Sequence, residues 1–339
     1  MSGRASGPDV PAIALIGVGG TISTLVDDPL DVIDYLETGR KVEPDEILGM
    51  LGDITAHARV EVVPYRSVSS SAIGPSDWIA LARRIEAIRA ERPDIAGIVL
   101  VHGTGSLEET AYFLHLVLAD GCPVVLVGAQ RPFNATSSDA AGNLLDAIRV
   151  AAFPGSAHRG VLVAVHGQIH CAREVTKITT YRLAAFASPE TGPMGTVDRD
   201  RITFFCSPIQ AFGSASGLSL RELDTLPRVD IAYAYAGADG TVVDALVAAG
   251  ARGIVSAGFA PGMQTPDERA ALERASAQGV VVVQASRAGS GRVAQRQALK
   301  QKGWIGAGSL NPQKARILLM LALTVSDQPE HVQDVFDWC

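Results

Sequence analysis

Two threonines occupy positions from which a hydroxyl could attack a carbonyl. Thr21 follows the diglycine Gly19-Gly20 in GVGGTIST, directly after an apolar, β-branched run. Glycines let the backbone turn sharply there and come close to a ligand, so Thr21 is either a nucleophile or a turn-stabilising side chain. Thr104 lies in VHGTGSLEETAYFL at 101–114, where an apolar run ends and a helical pattern begins. Ser106 with Glu109 three residues on reads as a capping box. Thr104 and Gly105 then sit just before a helix N-terminus, whose donors suit an oxyanion or a carboxylate. Taken by itself, the stretch fits an ordinary strand-to-helix turn as well.

Lysine is scarce: only Lys41, Lys177, Lys300, Lys302 and Lys314 occur. Lys177, in REVTKITT, lies between apolar stretches rather than on a charged face. Beside a hydroxyl it could act as a general base, because desolvation lowers a lysine pKa. A structural lysine is the plainer alternative.

These residues need a scaffold that holds turns at the ends of strands. Short β-branched runs recur at 12–18 (AIALIGV), 95–101 (IAGIVLV), 123–128 (PVVLVG) and 160–165 (GVLVAV), each followed by a turn signal and a helix-period segment. Such alternation predicts a mostly parallel sheet flanked by helices. Between the first two runs, Trp78, Leu81, Ala82, Ile85 and Ile88 share one helical face, with Ser76 placed to cap it. Residues 207–229, rich in Ser, Gly and Pro, lack periodicity. Strand signals resume in IAYAYAG, GIVSAG and GVVVVQAS. The expectation is a larger N-terminal α/β domain over 1–210, a linker over 211–227 and a smaller C-terminal α/β domain over 228–339. Ligands bind such sheets at the carboxyl ends of the strands, which is where the candidate residues fall.

Several classes are disfavoured. A dinucleotide fingerprint would need glycine at position 22, which is Ile22. The net charge is −7, with acids and bases interspersed and no long basic run, so nucleic acid is not an expected partner. No run reaches the roughly eighteen apolar residues of a membrane helix, and neither end carries a lipid-anchor motif. Cys122, Cys171, Cys206 and Cys339 show no metal spacing, so neither zinc nor a disulfide framework is expected. The opening MSGRASGPDV has no apolar leader core, and the location is read as cytoplasmic.

Taken in order, GGTI at 19–22, HGT and EETAYFL, VGAQRP, SSDAAGNL, RGVLV, REVTK, GPMG and SLNPQKAR at 309–316 resemble the bacterial-type L-asparaginase family. These are homotetrameric amidohydrolases with a threonine nucleophile, and the likeness spans nearly the whole chain. It implies that Thr21 attacks the amide carbonyl, forms an acyl-enzyme and releases ammonia, after which water frees the acid. Tyr35, in a mobile loop after the first strand, matches the tyrosine that orients or activates the nucleophile. Thr104 and Lys177 match the second catalytic pair, and Ser70 matches the serine that holds the substrate carboxylate. Gly20, Gly103 and Ala129, in GGTI, HGT and VGAQRP, fall among the substrate-binding positions. The likeness further implies sites between the subunits of a dimer or tetramer, with no cofactor or metal.

Three positions depart from the family. Gly105 stands where the family has an aspartate that completes the second catalytic set and holds the α-ammonium of asparagine. Arg296, counted back from SLNPQKAR, stands where a neighbouring subunit's substrate-binding glutamate falls. Ser71 replaces a common glutamine. Two of these changes remove negative charge. A desolvated ammonium without a carboxylate partner loses several kcal/mol, roughly a thousandfold or more in affinity. The expected substrate is therefore an amide lacking a free α-ammonium, such as a dicarboxylic acid monoamide or an N-blocked asparagine. Arg296 either points inward, offering its planar fork to an extra anionic or acyl group, or is a solvated surface arginine. Without the neighbouring aspartate the Lys177 pKa should fall, so a base survives.

Two other readings compete. A conventional L-asparaginase could rebuild its ammonium site from Glu108, Glu109 or Asp139, although the first two are expected to belong to the helix and the third to a cap. A silent ligand-binding or sensing homologue is a different class, against which the joint presence of Thr21, Tyr35, Thr104 and Lys177 argues.

Overall fold

Ala12–Gly17 is buried along its whole length, the burial expected of a strand covered on both faces. The computed structural model describes residues 10–339. Most of the N-terminal stretch used above to judge a leader, residues 1–9, lies outside the described residues. Ala12–Gly17 pairs in parallel with Arg59–Val63 on one side and Ile95–Val101 on the other. Val124–Val127 and Val161–Val165 extend the sheet, also in parallel. Gln168–Cys171, Gly195–Val197 and Ile202–Phe204 complete eight strands, all three antiparallel to their neighbours. A mostly parallel sheet was expected; the antiparallel edge was not. It begins at the two-residue turn His166-Gly167, where both residues have positive φ, 52° and 70°, as the twist of a tight hairpin requires.

Helix Ala140–Ala152 covers one face. Its Leu144, Ala147, Ile148 and Ala151 join Ile13, Val99, Val125 and Leu162 in one apolar cluster. Trp78, Leu81, Ala82, Ile85 and Ile88 are all buried on helix Pro75–Glu91. That helix starts two residues earlier than a Ser76 cap would place it, at Pro75, whose fixed φ suits a first helical position. Ser76 therefore lies inside the first turn and is not the cap.

The second sheet is wholly parallel and runs in chain order through Val229–Tyr233, Gly253–Gly258, Val281–Ser286 and Ile305–Gly306. Its own cluster includes Ile254, Val282, Leu272 and Trp304. The chain divides into two compact units, and the division is not a single cut. The second unit holds Ile209–Cys339 together with Pro75–Ile79 and Tyr112–Leu118. Within it Trp78 stacks on Phe113, with ring centroids 5.6 Å apart.

Candidate active site

The first strand hands its chain to Val18, whose N–H donates to the carbonyl of Val101 while its own carbonyl accepts from Val68. Three loops are thereby laced together at one end of the large sheet. Gly19 and Gly20 then take φ of 112° and 105°. A Cβ on Gly20 would lie 2.3 Å from the Gly103 Cα, a distance no side chain tolerates. The glycines thus deliver Thr21, half-buried at the start of a single 3-10 turn.

Tyr35 comes to Thr21 from a loop that ties itself down. Asp31 accepts from the N–H groups of Ile33 and Asp34 and from Thr38 Oγ1. Asn134 bonds both the N–H and the carbonyl of Val26. Tyr35 packs with Val26 and Ala135, is 9% exposed and opens the short helix Tyr35–Thr38. Its hydroxyl stands 3.1 Å from Thr21 Oγ1. The tyrosine sits over the nucleophile candidate, a hydrogen bond away.

Thr104 is set by the third strand through His102. The imidazole is buried, with Nδ1 at 2.8 Å from the Gly103 carbonyl and Nε2 at 2.9 Å from Thr110 Oγ1. Burial drives its pKa down to about 4, so it is a neutral strut under the loop. Lys177 lies in the two-residue strand Thr176–Lys177, paired antiparallel with Phe186–Ala187. Its ammonium donates to Thr104 Oγ1 at 2.7 Å. Burial holds its pKa below the ordinary lysine value, and no carboxylate is among the causes.

Ser70 opens a 3-10 turn, Ser70–Ala72, and Ser106 Oγ donates to its carbonyl at 2.6 Å. Thus the serine that precedes helix Leu107–Val117 ties the Ser70 segment down. Gly20, Thr21, Tyr35, Ser70, Gly103, Thr104, Gly105 and Lys177 all line one pocket of about 840 Å³. Three of the expected substrate-binding positions do not line it. Ser71 is exposed and bonds Ser69 Oγ at 3.0 Å instead. Ala129 is buried; its neighbour Gln130 lines the pocket and donates to the Thr180 carbonyl. Arg296 belongs to the second unit, where it donates to Gln284 Oε1 at 2.9 Å.

The acids also need correction. Asp139 stands at the N-cap of helix Ala140–Ala152 but makes no side-chain cap bond. Its carboxylate accepts from the N–H groups of Gln130 and Arg131 and from Asn143, so it shapes the loop carrying Gln130. Glu108 does belong to helix Leu107–Val117, yet it is buried and lines the pocket. Lys41 was not singled out and lines it too. A lysine inside GRKVEPDEI reads as one charge among several on a solvated segment.

Residues 12–210 match the family described as "Asparaginase, N-terminal" and residues 228–336 the "Glutaminase/Asparaginase C-terminal domain". The chain is 37% identical over 329 residues to "L-asparaginase 2" of Bacillus subtilis, covering 97% of this chain and 87% of that one. It is 33% identical over 327 residues to a "Glutaminase-asparaginase" of Pseudomonas fluorescens, covering 96% and 89%. The crystal structure of a probable cytoplasmic L-asparaginase from Campylobacter jejuni superposes with a TM-score of 0.92 at 35% identity, covering 97% of this chain and all of that one.

Proposed function

This chain belongs to the asparaginase and glutaminase family of amidohydrolases, and on that premise we propose that Thr21 hydrolyses an amide lacking a free α-ammonium. Asparaginase-type cleavage of an amide through a threonine nucleophile is the activity of the chain. One observation carries the finer reading. The pairs Thr21–Tyr35 and Thr104–Lys177 open into a single pocket, and position 105 in that pocket is glycine.

Thr21 Oγ attacks the carbonyl carbon while Tyr35 takes up and relays the hydroxyl proton. The C–N bond breaks, the nitrogen leaves as ammonia, and the acyl group remains on Thr21. A water molecule then adds to the acyl carbon. Neutral Lys177, acting through the Thr104 hydroxyl, accepts its proton; the ester C–O bond to Thr21 then breaks, Thr21 Oγ takes a proton back, and the acid departs. Desolvation favours the neutral lysine that this step needs. Ser70 offers its hydroxyl to the substrate carboxylate. Position 105 offers no anion, so an amino acid's ammonium has no partner there.

The active form is a homo-oligomer, dimer or tetramer, in which Arg296 of one subunit serves a neighbour's pocket; the family resemblance supports this. The chain acts in the cytoplasm. Ammonia release from L-asparagine, D-asparagine, glutamine, N-acetylasparagine and succinamate tests the substrate. Activity confined to the last two is expected, and turnover of L-asparagine at micromolar concentration overturns it. Silence across the panel, with Thr21→Ala indistinguishable from wild type, would mark a binding protein instead.

A second reading has one observation in its favour, since Glu108 is an acid in the pocket wall. On that reading Glu108 receives the ammonium of ordinary asparagine. Glu108→Gln would then abolish asparagine turnover while sparing succinamate.

A further inference from the structure

Lys41 is the cation of this pocket that the hydrolytic steps leave unused. It pairs in register with Thr24 across the two-residue strands Thr24–Leu25 and Arg40–Lys41. Its ammonium donates to Thr24 Oγ1 at 2.7 Å, and that hydroxyl donates in turn to the Gly20 carbonyl at 3.1 Å. Thr24 is fully buried. The ammonium is therefore held by a fixed partner whose own proton is committed elsewhere.

One bond uses one of three ammonium protons. Among the described residues no carboxylate pairs with Lys41, whereas the adjacent Arg40 is bridged to Glu46 at 2.9 Å. Lys177 is in the same condition, bonded to a threonine hydroxyl and to no acid. Because Lys177 is committed to the hydrolytic steps, Lys41 is the lysine left with unspent donors on this wall, against a single lining carboxylate, Glu108. Cations left without an acid on a ligand-accessible wall are a ready-made anion receptor, and holding Lys41 in place beforehand lowers the entropy lost on binding. The pocket's volume of about 840 Å³ leaves room beyond a small monoamide.

We propose that Lys41 is a specificity-determining residue, and that the amide hydrolysed carries a second anionic group, which Lys41 receives, beside the carboxylate offered to Ser70. This rests on the reading of the substrate as an amide without a free α-ammonium, and it narrows that class to dianionic amides.

Two probes separate the ideas: N-acetylasparagine, with one carboxylate, and N-succinylasparagine, with two. For the full-length protein kcat/KM should favour the second by about tenfold or more, the size of one charge-assisted contact. Lys41→Gln should remove that preference by raising KM for N-succinylasparagine, leaving kcat and the constants for N-acetylasparagine within about twofold. Lys41→Arg, which keeps the charge, should keep most of the preference, and rising salt should lower the wild-type preference toward the level of Lys41→Gln. Equal turnover of both probes with no effect of Lys41→Gln overturns this inference and leaves the substrate reading intact. Turnover of L-asparagine with neither probe cleaved overturns both.

Discussion

The hydroxyl of Ser70 occupies the space that a side chain at position 105 would enter. A Cβ built on Gly105 would lie 2.8 Å from Ser70 Oγ but 3.7 Å from Ser70 Cβ. Only the hydroxyl is in the way, and a rotation about one bond would clear it. The missing side chain at 105 and the position of the Ser70 hydroxyl are two sides of one packing arrangement.

Gly105→Ala therefore turns Ser70 Oγ aside without opening the loop. The expected result is KM for an N-acylated asparagine raised by about tenfold, the worth of one hydrogen bond to a charged group, with kcat little changed. Steady-state ammonia release reads it. Gly105→Asp combined with Arg296→Glu should improve L-asparagine turnover over wild type, since the pair returns negative charge to both departing positions.

Tyr35→Phe keeps the packing against Val26 and Ala135 but deletes the 3.1 Å contact with Thr21. We expect kcat to fall about 10²-fold or more with thermal stability nearly unchanged. Thr21→Ala should abolish turnover altogether.

The pH dependence of Lys177 follows from burial, which lowers its pKa. The neutral form is the base proposed above, so activity should rise with pH along a limb whose midpoint lies below that of an ordinary lysine. Lys177→Arg stays protonated throughout and should lose both that limb and about 10²-fold or more of the rate. Stability should carry the same sign. Between the folded and unfolded pKa values the unfolded chain binds the extra proton, so this lysine makes the fold more stable as pH rises through that window.

His102 makes an opposite test at the acid end. Its pKa falls from 6.5 to about 4 on folding. Between those values the unfolded chain takes up a proton the native one refuses, so stability is lost as pH drops from 6.5 and levels off below about 4. The loss amounts to about 3 kcal/mol. Urea denaturation at pH 7 and pH 4.5 should show His102→Gln less sensitive to the acid step than wild type.

The sequence was most legible where the backbone itself makes the chemistry. Thr21 and Thr104 each lie beside glycines in the turn after a strand, and the strand runs, Gly253–Gly258 among them, appear with little change. Tyr35 came only from the family resemblance, because nothing in its spacing from Thr21 announces the contact; Asp31 and Asn134 create it by folding the loop. Lys41 was hidden by a plausible ordinary role, a solvated charge, whereas Glu108 was named as an alternative ammonium partner but expected to belong to a helix. The antiparallel edge turns on His166-Gly167, a hairpin signal easily lost inside a longer β-branched stretch. Helix Pro75–Glu91 showed its apolar face clearly, but the assignment of Pro75–Ile79 to the second compact unit depends on contacts far apart in the chain.

Because the main chains of Gly20 and Gly103 touch with no room for a methyl between them, the spacing of the two threonine loops is a property of bare backbone. A mutational library aimed at new amides should therefore treat 20 and 103 as forbidden ground. Positions 41, 105 and 181 line the same pocket and are exposed, so they can be varied in combination while the cutting edge stays in register.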